Sequence, residues 1–154
     1  MQEEHRVDTD VPPQMYAWAN LSAQGTRHRG IGCVQLEKRA NGHLYVNGAK
    51  VTAYLSPHQR DTRGINGHEL RMKLEESGVL LLNATLYAYL YEHRDLIPDD
   101  WDGYIDFWGT IVADTECQLF VMCLSCRNGQ SRGGGYRELD KLFDTSRSAA
   151  CLES

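Results

Sequence analysis

Cys123 and Cys126 are the first pair in this sequence whose spacing could do chemistry, because zinc knuckles use two cysteines separated by two residues. Asn128 and Gly129 follow directly, and Asn-Gly is typical of the tight turn between two antiparallel strands. Both cysteines then belong to the strand before the turn, where residues three apart point to opposite faces and lie about 10 Å apart. This geometry allows neither a shared metal ion nor a disulfide bond. We therefore expect buried apolar thiols, with no metal and no cofactor.

Three consecutive glycines in residues 131–135, SRGGG, could present backbone N–H groups to an anion. The segment lacks the Lys-Ser or Lys-Thr ending of a phosphate-binding P-loop and the glycine spacing of a dinucleotide-binding loop. We predict a flexible loop at an exposed edge. His93, Arg94 and Asp95 spell the catalytic triplet of protein kinases, but the other kinase motifs are missing, so we interpret the triplet as a solvated helix end.

A hydrolase centred on a cysteine and a histidine needs an exposed thiolate that a neighbouring base activates. The chain has five cysteines and six histidines, but no local motif selects a pair. A small enzyme of this class stays an alternative, and its loosely available groups are His43, His58, His68 and Cys33.

Acidic and aromatic residues are concentrated in residues 99–109, DDWDGYIDFWG. If this segment is a strand, Tyr104, Asp106 and Trp108 share one face and Ile105 and Phe107 share the other. A face that mixes aromatic and polar groups is typical of a protein-binding surface, although we expect Trp108 to fill the core. With the two arginines of the hairpin tip, the predicted partner-binding residues are Asp99, Asp100, Trp101, Asp102, Tyr104, Asp106, Arg127 and Arg132.

The composition indicates one globular domain: 154 residues, 42% hydrophobic and 24% charged. A formal net charge of −5 disfavours nucleic-acid binding through a basic surface. Single-stranded nucleic acid stays an alternative ligand, because Arg27, Arg29, Lys38 and Arg39 could form a local patch. The acidic beginning of the chain lacks a signal peptide, and no apolar run reaches the length of a membrane span, so we expect a cytoplasmic protein with reduced cysteines and no membrane contact.

Turn and capping residues divide the chain into elements. Asn47-Gly48 predicts a hairpin within an N-terminal β meander, and Asn66 and Asn83 are placed to cap two helices. Residues 104–114 and 117–125 are the strongest strand signals, the second apolar on both faces. For residues 136–143 a short helix is favoured narrowly over a strand. The predicted fold is α+β: an antiparallel sheet, built of the N-terminal meander and C-terminal hairpins, with two central helices packed on it. The chain is predicted to consist of a flexible leader at residues 1–13, one domain at residues 14–144 and a tail at residues 145–154.

The middle of the chain resembles a group of uncharacterised small proteins from candidate-phylum bacteria and other microbes. The shared residues are Leu82-Asn83-Ala84, Leu96-Ile97-Pro98, Trp101, Phe107-Trp108-Gly109-Thr110-Ile111 and Cys123-Leu124. The resemblance implies no activity. It implies paired strands over residues 117–137, where this chain has one aromatic residue, Tyr136, in place of that group's aromatic-rich hairpin.

No catalytic constellation emerges from these patterns, and the function we predict is therefore binding. We expect a small cytosolic, non-enzymatic interaction protein of the mobile-element or phage type that modulates a host protein. The partner is expected to be a protein.

Overall fold

The structure is a computed structural model, and it describes residues 4–13, 21–60, 63–114 and 116–153, with residues 21–26 described by their backbone alone. Strands predominate in these ranges, and the two α-helices lie in the middle of the chain. The helices are α1 (Gly67–Glu76) and α2 (Ala84–Glu92). The strands are β1 (His5–Asp8), β2 (Leu21–His28), β3 (Cys33–Lys38), β4 (Leu44–Val46), β5 (Ala49–Tyr54), β6 (Ile65–Asn66), β7 (Leu80–Leu81), β8 (Gly103–Asp114), β9 (Leu119–Arg127), β10 (Gln130–Glu138), β11 (Leu142–Phe143) and β12 (Arg147–Leu152).

Most strands join one large sheet in the order β1-β3-β4-β5-β12-β8-β9-β10. β2 pairs with the second half of β8, β7 pairs with β12, and β6 and β11 form a separate two-stranded sheet. The α+β class is confirmed, but the prediction of a purely antiparallel sheet is wrong, because β12 runs parallel to β8. The chain enters β12 beside the start of β8, where the Tyr104 N–H donates to the Ser146 carbonyl at 2.9 Å. Both strands therefore run in the same direction.

The short-range signals of the sequence are confirmed. Asn47 and Gly48 have φ angles of 49° and 84°, and Asn128 and Gly129 have 51° and 77°, as tight turns between antiparallel strands require. The Asn66 side chain accepts a hydrogen bond from the His68 N–H at the start of α1. Asn83 caps α2 in the same way. These residues set where the elements begin and turn.

The two helices lie on opposite faces of the β8–β9 region. On one face, α2 packs through Leu86 and Leu90 in a buried cluster that also contains Phe107 and Met122. On the other face, the buried side chains of α1 join a cluster of Leu70, Leu74, Trp108, Val121 and Phe143. Strand alternation therefore sends Phe107 to one core and Trp108 to the other, and residues 120–124 of β9 are buried throughout.

Four segments differ from their predicted state. The predicted leader contains β1, in which His5 and Val7 are buried, and the predicted tail contains β12, which lies between β5 and β8. The three glycines form part of β10, and residues 142–143 are a strand instead of part of a helix. Glycine is depleted in strands, so the pairing of these glycines with β9 overrides their low strand propensity.

Candidate functional site

A groove of about 400 Å³ opens on the sheet face that carries α1, beyond the cluster that α1 buries. β8, β9 and β10 form its floor, and the turn between β11 and β12 forms one wall. The lining residues are Tyr104, Cys123, Ser125, Gly134, Gly135, Tyr136, Arg137, Asp144, Ser146 and Arg147. We call this site the β10 groove.

A buried ion pair fixes a guanidinium in the floor of the groove. Arg147 Nη2 lies 2.8 Å from Asp106 Oδ1, and Arg147 Nε lies 3.2 Å from Oδ2, with the two side chains only 6% and 1% exposed. The Arg147 guanidinium carbon also lies 4.5 Å from the ring centroid of Tyr104, a cation–π contact. Burial raises the pKa of Asp106 to about 6, although the charge of Arg147 opposes the shift. The ion pair therefore holds Arg147 in one position, and ionisation of the buried Asp106 carboxyl costs free energy.

Cys123 lies in the row of residues that crosses the groove floor. Asp106 of β8 and Gly135 of β10 are its neighbours in the sheet. Burial, and next the charge of Asp106, raises the pKa of the Cys123 thiol. A catalytic thiolate needs the opposite shift. Cys123 is thus a neutral thiol, and none of the residues lining the groove is a histidine.

The glycines of β10 leave a gap in this floor. A Cβ atom on Gly134 would lie 2.2 Å from the Tyr87 hydroxyl, so α2 closes the far face of β10. A Cβ atom on Gly135 would have no heavy atom within 4 Å. The groove therefore has room for a foreign side chain directly above Gly135.

Arg137 stands beside this gap. Its Nη2 and Nε atoms donate to the Leu142 carbonyl at 2.6 Å and 3.2 Å, and no carboxylate of the described residues forms an ion pair with it. Asp144 lies at the rim, where hydrogen bonds from Ser146 lower the pKa of its carboxyl. The rim is thus anionic at neutral pH, whereas the centre of the groove carries two cations and one carboxylate.

β10 is also the last strand of the sheet. Its one strand partner among the described residues is β9. Every second backbone N–H and C=O of such a strand faces away from the sheet and is available to another chain. The groove and this outer edge of the described sheet adjoin each other, since Gly134, Gly135 and Arg137 belong to both.

The eight residues predicted to bind a partner separate into three groups. Two of them are buried, each 1% exposed: Trp101 packs in the core under α2, and Asp106 forms its ion pair with Arg147 beneath the groove, so neither presents its side chain at the surface. Tyr104, 42% exposed, lines the groove. The other five are exposed near the β9–β10 hairpin or the acidic turn before β8: Asp99, Asp100, Asp102, Arg127 and Arg132.

The acidic turn and the hairpin tip contact each other. The Asn128 N–H donates to Asp102 Oδ1 at 3.2 Å, and the Gly129 N–H donates to the Trp101 carbonyl at 2.8 Å. Asp99 is bound at 2.6 Å by Lys38, which is therefore not part of a free basic patch. Two of the predicted binding residues, Trp101 and Asp102, thus hold the turn that leads into β10.

The groups of the enzyme alternative lie apart from the groove. His43, His58, His68 and Cys33 do not line it, and no three His, Cys, Asp or Glu side chains of the described ranges could hold a metal ion together. Sequence reasoning missed Arg137, Arg147 and Gly135 as site residues. The composition of residues 147–152, RSAACL, gives no strong strand signal, because alanine is depleted in strands.

The chain matches no known family model, no curated protein and no solved structure. None of the helices in the described ranges is long and apolar enough to cross a membrane. The geometry of the β10 groove is therefore the main guide to function.

Proposed function

We propose that this protein binds an extended segment of a partner protein, which adds as a strand to the outer edge of β10 and places side chains in the β10 groove. The observation that carries the proposal is the open space above Gly135, next to two positioned arginines and to a strand edge on which no other described strand pairs. The five cysteines are free thiols, which supports action in a reducing compartment such as the cytoplasm.

Backbone pairing supplies the affinity in this form of recognition. An extended peptide that pairs with a sheet edge satisfies its own N–H and C=O groups and those of the edge strand. β10 offers nine residues, Gln130–Glu138, for such pairing. The supporting turn at Asn128 and Gly129 and its contact with Asp102 hold this strand in position.

The groove determines which side chains of the bound segment are preferred. A residue of the bound segment that faces the gap above Gly135 comes beside Arg137, whose guanidinium donates hydrogen bonds to the uncharged Leu142 carbonyl. Arg147, also in the floor, is already paired with Asp106. An acidic side chain therefore suits the gap best, because it gives Arg137 an ion-pair partner that none of the described carboxylates supplies.

The same observations weigh against the two alternatives. A neutral Cys123 without a neighbouring histidine is a poor nucleophile. The four basic residues of the nucleic-acid hypothesis do not form one surface: Lys38 binds Asp99, and Arg39 pairs with Glu37. Arg27 and Arg29 lie elsewhere, at a second cavity.

Gly135→Val tests the proposal, since its Cβ atom enters open space and its methyl groups occupy the gap. Ten-residue peptides are selected from a random displayed library on the wild-type protein, synthesised, and measured by fluorescence polarisation against the variants. Gln35→Val is the matched control, because it adds the same side chain to an exposed position of β3 on the other side of the sheet. Arg137→Gln tests the acidic preference.

We expect acidic peptides whose affinity falls by a factor of ten or more in Gly135→Val, falls roughly tenfold in Arg137→Gln, and stays unchanged in Gln35→Val. Failure to select any peptide, or selected peptides that bind Gly135→Val as tightly as the wild type, would contradict the proposal.

A further inference from the structure

A second cavity, of about 390 Å³, lies between the end of β2, the start of β7 and α1, with β8 as its floor. We propose that it binds a small amphipathic anion, a carboxylate or phosphate monoester that carries an apolar chain. Its basic and apolar residues are Arg27, Arg29, Ile31, Arg71, Val79, Leu80, Leu81, Trp108 and Ile111. We call it the arginine cavity. It shares no lining residue with the β10 groove, so the inference goes beyond the proposed function.

Three arginines line this cavity, two near the end of β2 and one on α1. Arg27 pairs with Ile111 in the β2–β8 ladder, and the Arg29 N–H donates to the Gly109 carbonyl at 2.8 Å, so both arginines flank the same part of β8. Residues two apart along extended chain point to the same side, which brings the two side chains together. Arg71 approaches from α1 on the opposite wall.

The positive charge of the cavity is only partly offset. Arg71 is 3.5 Å from Glu75, the one acidic residue of the lining. Arg27 and Arg29 form no ion pair and no side-chain hydrogen bond within the described part of the chain, and both are exposed. Two arginines that lack a carboxylate at the mouth of one cavity favour an anionic group, which both can bind with charge-assisted hydrogen bonds.

The opposite part of the cavity is apolar. Leu80 is 48% exposed, and the partly buried Leu81 and Ile31 and the buried Trp108 line the cavity with it. Gly109 permits this arrangement, because a Cβ atom there would lie 2.8 Å from the Leu82 carbonyl group and would push β7 and β8 apart. An alkyl or similar chain against Leu80 would remove apolar surface from water.

The size and the two-sided lining together define the ligand class. A cavity of this volume suits a small molecule rather than a polymer. A purely inorganic anion would leave the leucine wall unused, and an uncharged apolar molecule would leave the arginines unpaired. The ligand therefore has an anionic head and an apolar body, and phosphate and carboxylate heads share this chemistry.

Calorimetric titration with octyl phosphate, octanoate and octanol tests the inference. The variants Arg27→Gln and Arg29→Gln remove single charges, Leu80→Ser removes the exposed part of the apolar wall, and Arg60→Gln is the control at an exposed arginine outside the cavity. These residues are exposed, so the fold tolerates their replacement.

We expect at least one of the two anions to bind the wild type and octanol not to bind. Each arginine variant should weaken that binding roughly tenfold, Leu80→Ser should weaken it severalfold, and Arg60→Gln should leave it unchanged. A preference for octyl phosphate assigns a phosphate ligand, and a preference for octanoate assigns a carboxylate.

The inference is overturned if neither anion binds, if octanol binds as tightly, or if Arg60→Gln weakens binding as much as Arg29→Gln. Peptide binding at the β10 groove should be unaffected by all four variants, so the two proposals can fail separately.

Discussion

The buried ion pair beneath the β10 groove positions Arg147 at a cost in stability, and Asp106→Asn should reveal that cost. Desolvation raises the pKa of Asp106 from 3.8 to about 6 in the folded protein, even though Arg147 lies 2.8 Å away. The folded state therefore binds the proton more tightly than the unfolded chain does. Stability from this group is complete below pH 4 and is lost as the pH rises to about 6.

The size of the loss follows from the shift. A shift of about two pKa units corresponds to about 3 kcal/mol at 1.36 kcal/mol per unit. Asn cannot ionise, so Asp106→Asn lacks this pH dependence, while all other carboxyl groups are common to both proteins. The free energy of unfolding of the wild type, relative to that of the variant, should fall by about 3 kcal/mol between pH 3.5 and pH 7.

Urea unfolding of both proteins at half-unit steps from pH 3.5 to pH 7 measures this difference directly. A difference that stays flat, or that moves in favour of the wild type as the pH rises, would refute the reasoning, because attraction to Arg147 would then outweigh desolvation. A second variant checks the same point at pH 7. Asp106→Leu with Arg147→Met should be at least as stable as the wild type, since buried ion pairs often contribute less than apolar groups of similar volume.

Three further predictions concern a helix cap, two glycines in strands and the accessibility of the cysteines. Asn83→Ala should lower the free energy of unfolding by about 2–3 kcal/mol in urea, because it removes the α2 cap and two hydrogen bonds to backbone carbonyls; a loss below 1 kcal/mol would contradict this role. Gly109→Ala should lower the free energy of unfolding by about 1–3 kcal/mol, because the added Cβ atom meets the Leu82 backbone. Gly135→Ala should cause no such loss, because its Cβ atom enters open space. Equal melting temperatures of the two variants would count against the close approach at Gly109. Native protein should expose two rapidly reacting thiols, Cys33 and Cys117, to a disulfide reagent, and five in denaturant; a third fast thiol would show that a buried cysteine is accessible.

Local features of the fold could be predicted from the sequence because they depend on neighbouring residues. The turns at Asn47-Gly48 and Asn128-Gly129 need positive φ angles that these residues adopt readily. The caps at Asn66 and Asn83 likewise depend on N–H groups two or three residues away. The assignment of Cys123 and Cys126 to one strand followed from the position of the turn.

The site could not be predicted, because it depends on contacts between distant parts of the chain. Asp106 meets Arg147 across 41 residues, and small polar residues beyond 144 resembled a tail. β12 has a partner on each side in the sheet, and that pairing, not its own composition, makes it a strand. The glycines of β10 are strand residues only because β9 pairs with them.

Amide hydrogen exchange with a selected peptide bound tests the central proposal most directly, because strand addition makes new hydrogen bonds at the outer edge of β10. The account predicts slower exchange at alternate residues of β10, Gln130–Glu138, with no change in β1 at the other end of the sheet. Protection confined to the acidic turn at residues 99–102, or no protection in β10 when the peptide is bound, would contradict it.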